Sequence, residues 1–212
     1  MSDTWAAVAS LTDPSRRALY DYVRRQDHPV AREEAAQATG MSRGLAAFHL
    51  DKLVGAGLLA ARHEAPPGRP RGRGRTPKVY EPAGDGLAVT VPERHYELIA
   101  DILAEAVEAA AEPAGVAGRR GQDLGATLRP TGDLPGDLPR VLAGLGFEPR
   151  DEGGTVLLGN CPFHALAVRH TDLVCGINHA FVGGLLRGLG ATGVDAHLVP
   201  RPGACCVQLR RH

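Results

Sequence analysis

The sequence of 212 residues has no apolar run of about 18 residues, and aromatic residues make up only 4% of it. The lack of such a run excludes a transmembrane helix. The N-terminus, MSDTWAAVASLTDPSRRALY, lacks the basic and then apolar pattern of a secretion signal, so we expect a cytoplasmic protein with no membrane partner. Cysteine is also scarce. Four cysteines in such a compartment are more typical of ligands or redox groups than of structural disulfides.

The charged residues are unevenly distributed, although the formal net charge is zero. Residues 1–82 hold 13 Lys and Arg against 9 Asp and Glu, whereas residues 83–212 hold 11 against 15. A basic excess attracts polyanions. The N-terminal part is therefore the candidate binder of nucleic acid.

The N-terminal part carries the start and stop signals of three short helices. Asp13 and Pro14 supply a cap and a first-turn proline for a helix over SRRALYDYVRRQ. AREEAAQATG predicts a second helix that ends at Gly40, and Ser42 caps a third helix, SRGLAAFHLDKLVGAG. A tight turn separates the second and third helices. This order predicts a helix-turn-helix arrangement.

Two strand-like segments follow the third helix, LLAARHE and KVYEP at 78–82, and the loop between them is APPGRPRGRGRTP. A loop of Arg, Gly and Pro between two strands is typical of a wing, and its guanidinium groups suit phosphates or a narrow minor groove. A solvated linker is the alternative for such a charge run. Arg43, near the start of the third helix, is the best candidate for reading a base edge. The predicted DNA contacts are Ser42, Arg43, Ala47, Phe48, Lys52, Arg69, Arg71, Arg73, Arg75 and Lys78.

MSRGLAAFHLDKLVGAGLL followed by GRGRTPKVYEP resembles the winged helix-turn-helix of ArsR-like bacterial regulators, over about Leu11 to Pro82. The resemblance implies a sequence-specific, homodimeric transcription factor that binds a pseudo-palindromic operator in double-stranded DNA.

The middle of the chain connects this domain to the rest. PERHYELIADILAEAVEAAAE, 92–112, predicts a helix with an apolar stripe that suits dimerisation, and packing within one chain is the alternative. GRRGQDLGATLRPTGDLPGDLPR is rich in Gly and Pro and predicts one short helix and a flexible connector. We predict an α+β protein with a winged helix-turn-helix domain at 1–84, a long dimerisation or linker helix at 90–112, and a small α+β sensor domain at 113–212.

The segment NCPFHALAVRHTDLVCGINHAF, residues 160–181, gathers two Cys and three His. We expect Asn160 to cap a helix beginning at CPFHALAVRH, LVCGINHAFVGGLLRGLG to form another helix, and VDAHLVP and ACCVQLRR to form a closing hairpin. The spacing C-x2-H and C-x3-H then places each Cys on the same helix face as a His, as zinc sites do. Adjacent strand residues point to opposite faces, so only one of Cys205 and Cys206 should reach a shared metal. The predicted ligands are Cys161, His164, Cys175, Cys205 and Cys206, with His170 and His179 as further candidates.

CPFHALAVRHTDLVCGINHAF together with PGACCVQL is similar to the C-terminal domain of SufR-like regulators, a branch of the same winged-helix group. The resemblance implies an iron–sulfur cluster that is held by cysteines, here Cys161, Cys175 and one of the Cys205/Cys206 pair, and that senses iron or oxidative stress. Cluster-binding members carry a further Cys about one turn before the first, and Leu157 stands near that position here. Three Cys and a His would complete the ligand set, and such a set also suits zinc.

These patterns leave more than one function open. The leading interpretation is a metal- or redox-responsive repressor with an iron–sulfur cluster, or alternatively zinc, as cofactor. A winged-helix regulator of an organic effector, with structural Cys and His or a fixed zinc, is the second. Buried cysteine is often simply a small core residue. An enzyme that uses Cys161 or Cys175 as a nucleophile is a third possibility, but C-x-x-C is absent and no oxyanion loop is apparent, so we expect no enzyme.

Overall fold

The structure is a computed structural model that describes residues 4–64, 76–84, 86–128, 134–201 and 203–212. The chain divides into two compact units, Met1–Val89 and Thr90–His212. None of the described helices has both the length and the apolar character that crossing a membrane requires.

The N-terminal unit contains the three predicted helices and one that was not predicted, α1. Asp13 caps α2 (Pro14–Val23), because its Oδ1 accepts hydrogen bonds from the backbone N–H groups of Ser15 (2.9 Å) and Arg16 (3.1 Å). The second predicted helix, α3 (Arg32–Thr39), ends at Gly40, whose φ of 68° is in the left-handed region that glycine adopts readily. The elements are α1 (Thr4–Ser10), α2 (Pro14–Val23), β1 (Val30–Ala31), α3 (Arg32–Thr39), α4 (Arg43–Gly55), β2 (Leu59–His63) and β3 (Lys78–Pro82).

The two strands predicted after the third predicted helix, α4, are present as β2 and β3. They pair antiparallel, and β3 lies in the middle of a β1-β3-β2 sheet. Their register runs from Leu59 opposite Pro82 to His63 opposite Lys78. The loop that joins them, with Arg69, Arg71, Arg73 and Arg75, lies outside the described residues. The core beneath the helices is formed by Leu19, Val23, Val30, Ala35, Ala46, Leu50, Leu53, Leu59 and Tyr80.

The C-terminal unit combines helices with a four-stranded antiparallel sheet of order β4-β5-β7-β6. Its last two strands form the predicted closing hairpin, and a long helix ends at Gly190 (φ 73°) as expected. The elements are α5 (Tyr96–Glu108), α6 (Pro113–Leu128), α7 (Leu134–Gly144), β4 (Pro149–Glu152), β5 (Thr155–Leu158), α8 (His164–Ala167), α9 (Thr171–Leu189), β6 (Val194–Leu198) and β7 (Val207–Arg211).

The segment 118–140, predicted as one short helix and a flexible connector, lies in two helices, α6 and α7, with residues 129–133 between them outside the described part of the chain. The first of these helices, α6, spans 113–128 and packs along α9. Glycines on both helices allow the two backbones to touch: a methyl group on Gly121 would overlap the carbonyl oxygen of Phe181, and one on Gly184 would overlap that of Gly118. Glycine lowers the helix propensity of an isolated segment. Here the missing side chains allow close packing, and the packing stabilises the helix.

The helix predicted for dimerisation is shorter than expected and belongs to the C-terminal unit. It begins at Tyr96, and its apolar stripe at Ile99, Ile102 and Ala106 is buried in the core of that unit with residues of α6, α7 and α9. The stripe is therefore covered by its own chain, which is the alternative that the sequence left open. A dimer would have to use another surface.

Candidate functional site

One face of the third predicted helix, α4, is anchored in the core and the other is exposed. Ser42 caps the helix, with its Oγ accepting a hydrogen bond from the backbone N–H of Leu45 (3.3 Å). Ala46, Leu50 and Leu53 are buried. His49 is buried as well, and its Nδ1 has no partner among the described residues, which favours a structural role over base contact.

The exposed face of α4 carries the predicted DNA contacts. Arg43 and Lys52 are exposed, Ala47 is half-buried, and the Phe48 side chain is 54% exposed. The Lys52 ammonium lies 5.7 Å from the centre of the Phe48 ring, so these two side chains form one surface. The helix thus presents cationic and apolar groups together on the side that faces solvent.

Leu45 is a candidate contact that the sequence interpretation missed, because leucine in an amphipathic helix is expected to face the core. It is 45% exposed on this face. Its spacing with Phe48 and Lys52, i, i+3 and i+7, was the available signal. An exposed apolar side chain at this position suits contact with a thymine methyl group.

Lys78, at the start of β3, already has a partner. Its Nζ lies 2.5 Å from Oδ1 of Asp51 on α4, and the Tyr80 hydroxyl donates to the same oxygen at 3.2 Å. Burial, followed by the charge of Asp51, raises the pKa of Tyr80 to about 12. Asp51 therefore joins β3 to α4, and the charge of Lys78 is less available to a polyanion than that of Arg43.

The second cluster of interest lies in the C-terminal unit, where the four cysteines, from three separate segments, form two contacting pairs. Cys161 precedes α8, Cys175 lies on α9, and Cys205 and Cys206 precede β7. All four are free thiols; only Cys206 is more than slightly exposed. We call these four residues the cysteine site.

Cys161 and Cys205 form one pair within the cysteine site. The hydrogen bond from Cys205 lowers the pKa of Cys161 to about 7, against the effect of burial, and a backbone hydrogen bond from Phe163 and the charge of Arg94 act in the same direction. The same contact, together with burial, raises the pKa of Cys205. The pair therefore loses its first proton at Cys161.

Cys175 and Cys206 form the other pair, with their sulfur atoms 2.8 Å apart. Burial and then the contact with Cys206 raise the pKa of Cys175 to about 12. The charge of Cys161 contributes to the same shift, which places the two pairs within electrostatic reach of each other. The charge on one pair therefore affects the protonation of the other.

The expectation that only one of Cys205 and Cys206 reaches a shared metal stays a prediction, although its geometric premise does not hold. It assumed that both residues lie in an extended strand, but β7 begins only at Val207, and the preceding turn directs the two sulfur atoms to different partners. The Cys205 N–H donates to the carbonyl of Leu158 (3.1 Å), and the Cys206 carbonyl accepts from Val199 (2.6 Å). Both positions are therefore held by backbone hydrogen bonds.

Asn178 provides a polar contact to the cysteine site that the sequence interpretation did not assign. It lies on α9 and is 1% exposed, and its amide nitrogen donates to the Cys205 sulfur at 3.2 Å. Its Oδ1 is buried without a partner in the described part of the chain. Its position three residues after Cys175 was the available signal, because residues three apart share a helix face.

The histidines do not join the cysteines as predicted. The predicted helix from Cys161 begins only at His164, so the buried Cys161 and the exposed His164 do not share a face. His170 is exposed, and Nε2 of His179 lies 3.0 Å from the carbonyl oxygen of Ala196. Among the described residues, no three His, Cys, Asp or Glu side chains form a group suited to one metal ion.

The side chain of Asn160 lies inside the unit and does not cap a helix. Its amide nitrogen donates to the carbonyls of Glu93 (3.2 Å) and Gly146 (2.6 Å). Arg94 donates to the side-chain oxygen of Asn160 and, at 2.9 Å, to the carbonyl of Cys161. The prediction of a cap is wrong because these polar atoms bind the segment before α5. We call Arg94 and Asn160 the clasp.

Comparison with known proteins identifies the class of the N-terminal unit. Residues 11–62, from three residues before α2 to the penultimate residue of β2, match the family described as a helix-turn-helix domain. The match supports a DNA-binding regulator of the helix-turn-helix type. No curated protein and no solved structure is significantly similar to the chain.

Proposed function

We propose that this protein is a cytoplasmic transcriptional repressor that binds an operator in double-stranded DNA as a homodimer, and whose cysteine site binds an iron–sulfur cluster or a metal ion that modulates operator affinity. The convergence of four free thiols from three remote segments carries the sensing part of this proposal. The helix-turn-helix match carries the DNA-binding part. The proposal assigns no catalytic step to the chain.

The DNA-binding mode that we propose is that of an ArsR-like winged helix. The exposed face of α4 would enter the major groove with Arg43 at its N-terminal end, and the β2–β3 strands would carry the basic wing loop along the backbone. Arg43 supports this assignment because it is exposed at the first position of the helix. Arginine at such a position can bond guanine through two hydrogen bonds.

The cysteine site fits an iron–sulfur cluster by the chemistry of its donors, since such clusters are held by cysteine thiolates. Cys161, Cys175, Cys205 and Cys206 would hold it, and the lowered pKa of Cys161 favours the thiolate that ligation needs. When bound, the cluster would supply sensitivity to iron supply and oxidants, as the SufR-like resemblance implies. Zinc, which also accepts four thiolates, is the alternative, and it would require the cysteine side chains to rearrange, because no three of them form a group suited to one metal ion in the described structure.

The clasp offers a physical route from the cysteine site to the DNA-binding unit. Arg94 bonds the Cys161 carbonyl, and the His95 N–H donates to the carbonyl of Pro162 at 3.2 Å. Both residues lie just after Val89, where the chain leaves the N-terminal unit. A change in the loop around Cys161 would therefore act directly on the segment that leads to the DNA-binding unit.

The test is anaerobic reconstitution of the full chain with iron and sulfide, followed by metal analysis and gel shifts on an operator selected from random DNA. We expect stoichiometric iron, or zinc if the alternative holds, and different operator affinities for the loaded and metal-free forms. Equal affinities, or no stoichiometric metal under anaerobic conditions, would contradict the sensing role. Arg43→Ala is the matched control, because it should weaken operator binding without altering metal content.

A second candidate function is a regulator that binds an organic effector. An open groove of about 380 Å³ between α6 and α9 favours it. Arg119, Arg187 and His179 line this groove beside Gly118 and Gly183, and their basic side chains suit an anionic ligand. The guanidinium of Arg187 extends over both glycines. This candidate predicts that anionic small molecules, and not metal loading, change operator affinity in the same gel shifts.

A further inference from the structure

We propose that Cys175 and Cys206 are a thiol modification site that a hydroperoxide converts to an intramolecular disulfide in the metal-free chain. The inference does not depend on the cofactor that the cysteine site binds. It adds to the proposed function a covalent, reversible state of the chain itself.

The geometry that supports this pair is the direct contact of its sulfur atoms at 2.8 Å. A disulfide bond is about 2.05 Å long, so a small side-chain movement suffices to form it. The Cys206 carbonyl accepts a hydrogen bond from Val199 at 2.6 Å, and Cys175 lies within the long helix α9. The backbone therefore holds both residues in place before any oxidation occurs.

Exposure decides where the reaction begins. Cys206 is the only half-exposed thiol of the four, whereas Cys161, Cys175 and Cys205 are buried. Oxidation of a thiol depends on its thiolate character and on its exposure, and the Cys161 thiol, whose pKa is lowered, is buried away from oxidants in solution. The Cys206 sulfur is therefore the attacking group, and Cys175, behind it in the protein, is the resolving thiol.

The chemistry balances in two steps. In the first, the Cys206 sulfur attacks one oxygen of the hydroperoxide, the O–O bond breaks, and the products are a sulfenic acid at Cys206 and an alcohol, or water from hydrogen peroxide. In the second, the Cys175 sulfur attacks the Cys206 sulfur, the S–OH bond breaks, and water leaves with the Cys175 proton. Two thiols lose two electrons, and the hydroperoxide accepts them.

The experiment treats reduced, metal-free full-length chain with one equivalent of hydrogen peroxide, denatures it in the presence of a maleimide, and maps the thiols by mass spectrometry. We expect one disulfide between Cys175 and Cys206, with the loss of two of the four maleimide adducts. Cys161 and Cys205 should remain alkylated. The same treatment in urea should give mixed pairings, because the contact exists only in the folded chain.

Two variants separate the roles of the pair. Cys175→Ser should trap the sulfenic acid at Cys206, detected as a dimedone adduct, and Cys206→Ser should retain all three remaining thiols under the same peroxide dose. Cys161→Ser is the matched control and should still form the Cys175–Cys206 disulfide. The inference would be overturned by a disulfide between Cys161 and Cys205, by mixed pairings in the folded chain, or by no disulfide at all. All three outcomes are measured on the wild-type chain, so they do not depend on whether a variant folds.

Discussion

At the scale of single residues, the contact between Cys161 and Cys205 makes a prediction about protonation. The hydrogen bond from Cys205 is the main cause of the lowered pKa of Cys161, about 7. Cys205→Ala removes this hydrogen bond and should raise the pKa of Cys161 towards the ordinary cysteine value. The measurement is the thiolate ultraviolet absorbance of reduced, metal-free protein between pH 6 and 9.

The sign of the accompanying stability change follows from linkage. An acid whose pKa is lower in the folded than in the unfolded chain stabilises the fold above its unfolded pKa. For Cys161, this contribution to stability is lost as the pH falls through about 7. Relative to wild type, Cys205→Ala should therefore lose stability at pH 9 more than at pH 6. Cys206→Ala is the control, since its sulfur contacts Cys175 instead. An unchanged titration in Cys205→Ala would mean that the contact does not set the pKa.

Arg43 makes the second prediction at this scale. Arg43→Ala should weaken operator binding by about 1–3 kcal/mol at one base position and relax the preference there. Lys52→Ala on the same face is the comparison, because a lysine that contacts phosphate weakens binding to all sequences and lowers the salt dependence. Affinities for an operator and its single-base variants would distinguish the two. Uniform weakening by Arg43→Ala would make it a phosphate contact.

Single residues also show where the sequence alone does not predict a side chain's role. Asp13, Gly40 and Ser42 were predictable because caps depend on local backbone geometry. Asn160 has the same local pattern before a helix, yet its amide bonds carbonyls 67 and 14 residues away. Local rules cannot separate these cases, since a polar side chain beside a helix has the same sequence signature whether its partner is near or distant.

At the scale of elements, the close packing of α6 on α9 depends on glycine. Gly184→Ala should destabilise the chain by about 3 kcal/mol, because the added methyl group overlaps the backbone carbonyl of Gly118 and backbone cannot rotate away as a side chain can. The measurement is urea-induced unfolding followed by circular dichroism.

Gly176→Ala is the matched control on the same helix. A methyl group at Gly176 meets nothing within 4 Å, so the substitution should stabilise α9 through helix propensity, by about 0.5–1 kcal/mol. If the two variants unfold at the same urea concentration, α6 and α9 are not packed as described.

The strands and the capped helices of the N-terminal unit were predictable because turn residues and apolar periodicity agree there. The length and the packing of α6 were not predictable, because Gly118, Gly121 and Gly125 indicate a short helix and a connector when the segment is considered alone. Their spacing of three and four residues places them on one helix face, and Gly184 and Gly188 repeat that spacing on α9. Pairing these two patterns requires knowing that the helices meet, which depends on the whole fold.

At the scale of the whole molecule, the basic excess and the thiols lie in different units. The helix-turn-helix match lies within Met1–Val89, and the four cysteines lie within Thr90–His212. The convergence of the cysteines was expected from their number and spacing, but their pairing was not, since it depends on a turn before β7. The chain that joins the units is one route by which the thiols can influence DNA binding, and the clasp holds the beginning of that chain.

The last prediction tests this route. Arg94→Gln removes the charged donor to Asn160 and to the Cys161 carbonyl, but leaves the four thiols in place. We expect unchanged metal content, and a ratio of operator affinities between the loaded and metal-free forms that moves towards one. Coupling between sites typically changes affinity about 5–150-fold, so the loss is measurable by gel shift.

Arg140→Gln is the matched control for this variant, because Arg140 is 85% exposed and pairs only with the neighbouring Asp137 among the described residues. It should keep the wild-type ratio of affinities. Thermal unfolding of both variants tests whether the loss comes from a weakened fold, since a structural defect would also lower metal content. If Arg94→Gln retains the wild-type ratio of operator affinities with its metal bound, the coupling runs through another part of the C-terminal unit. The hydrogen bonds of the clasp then serve only to hold the segment before α5 in place.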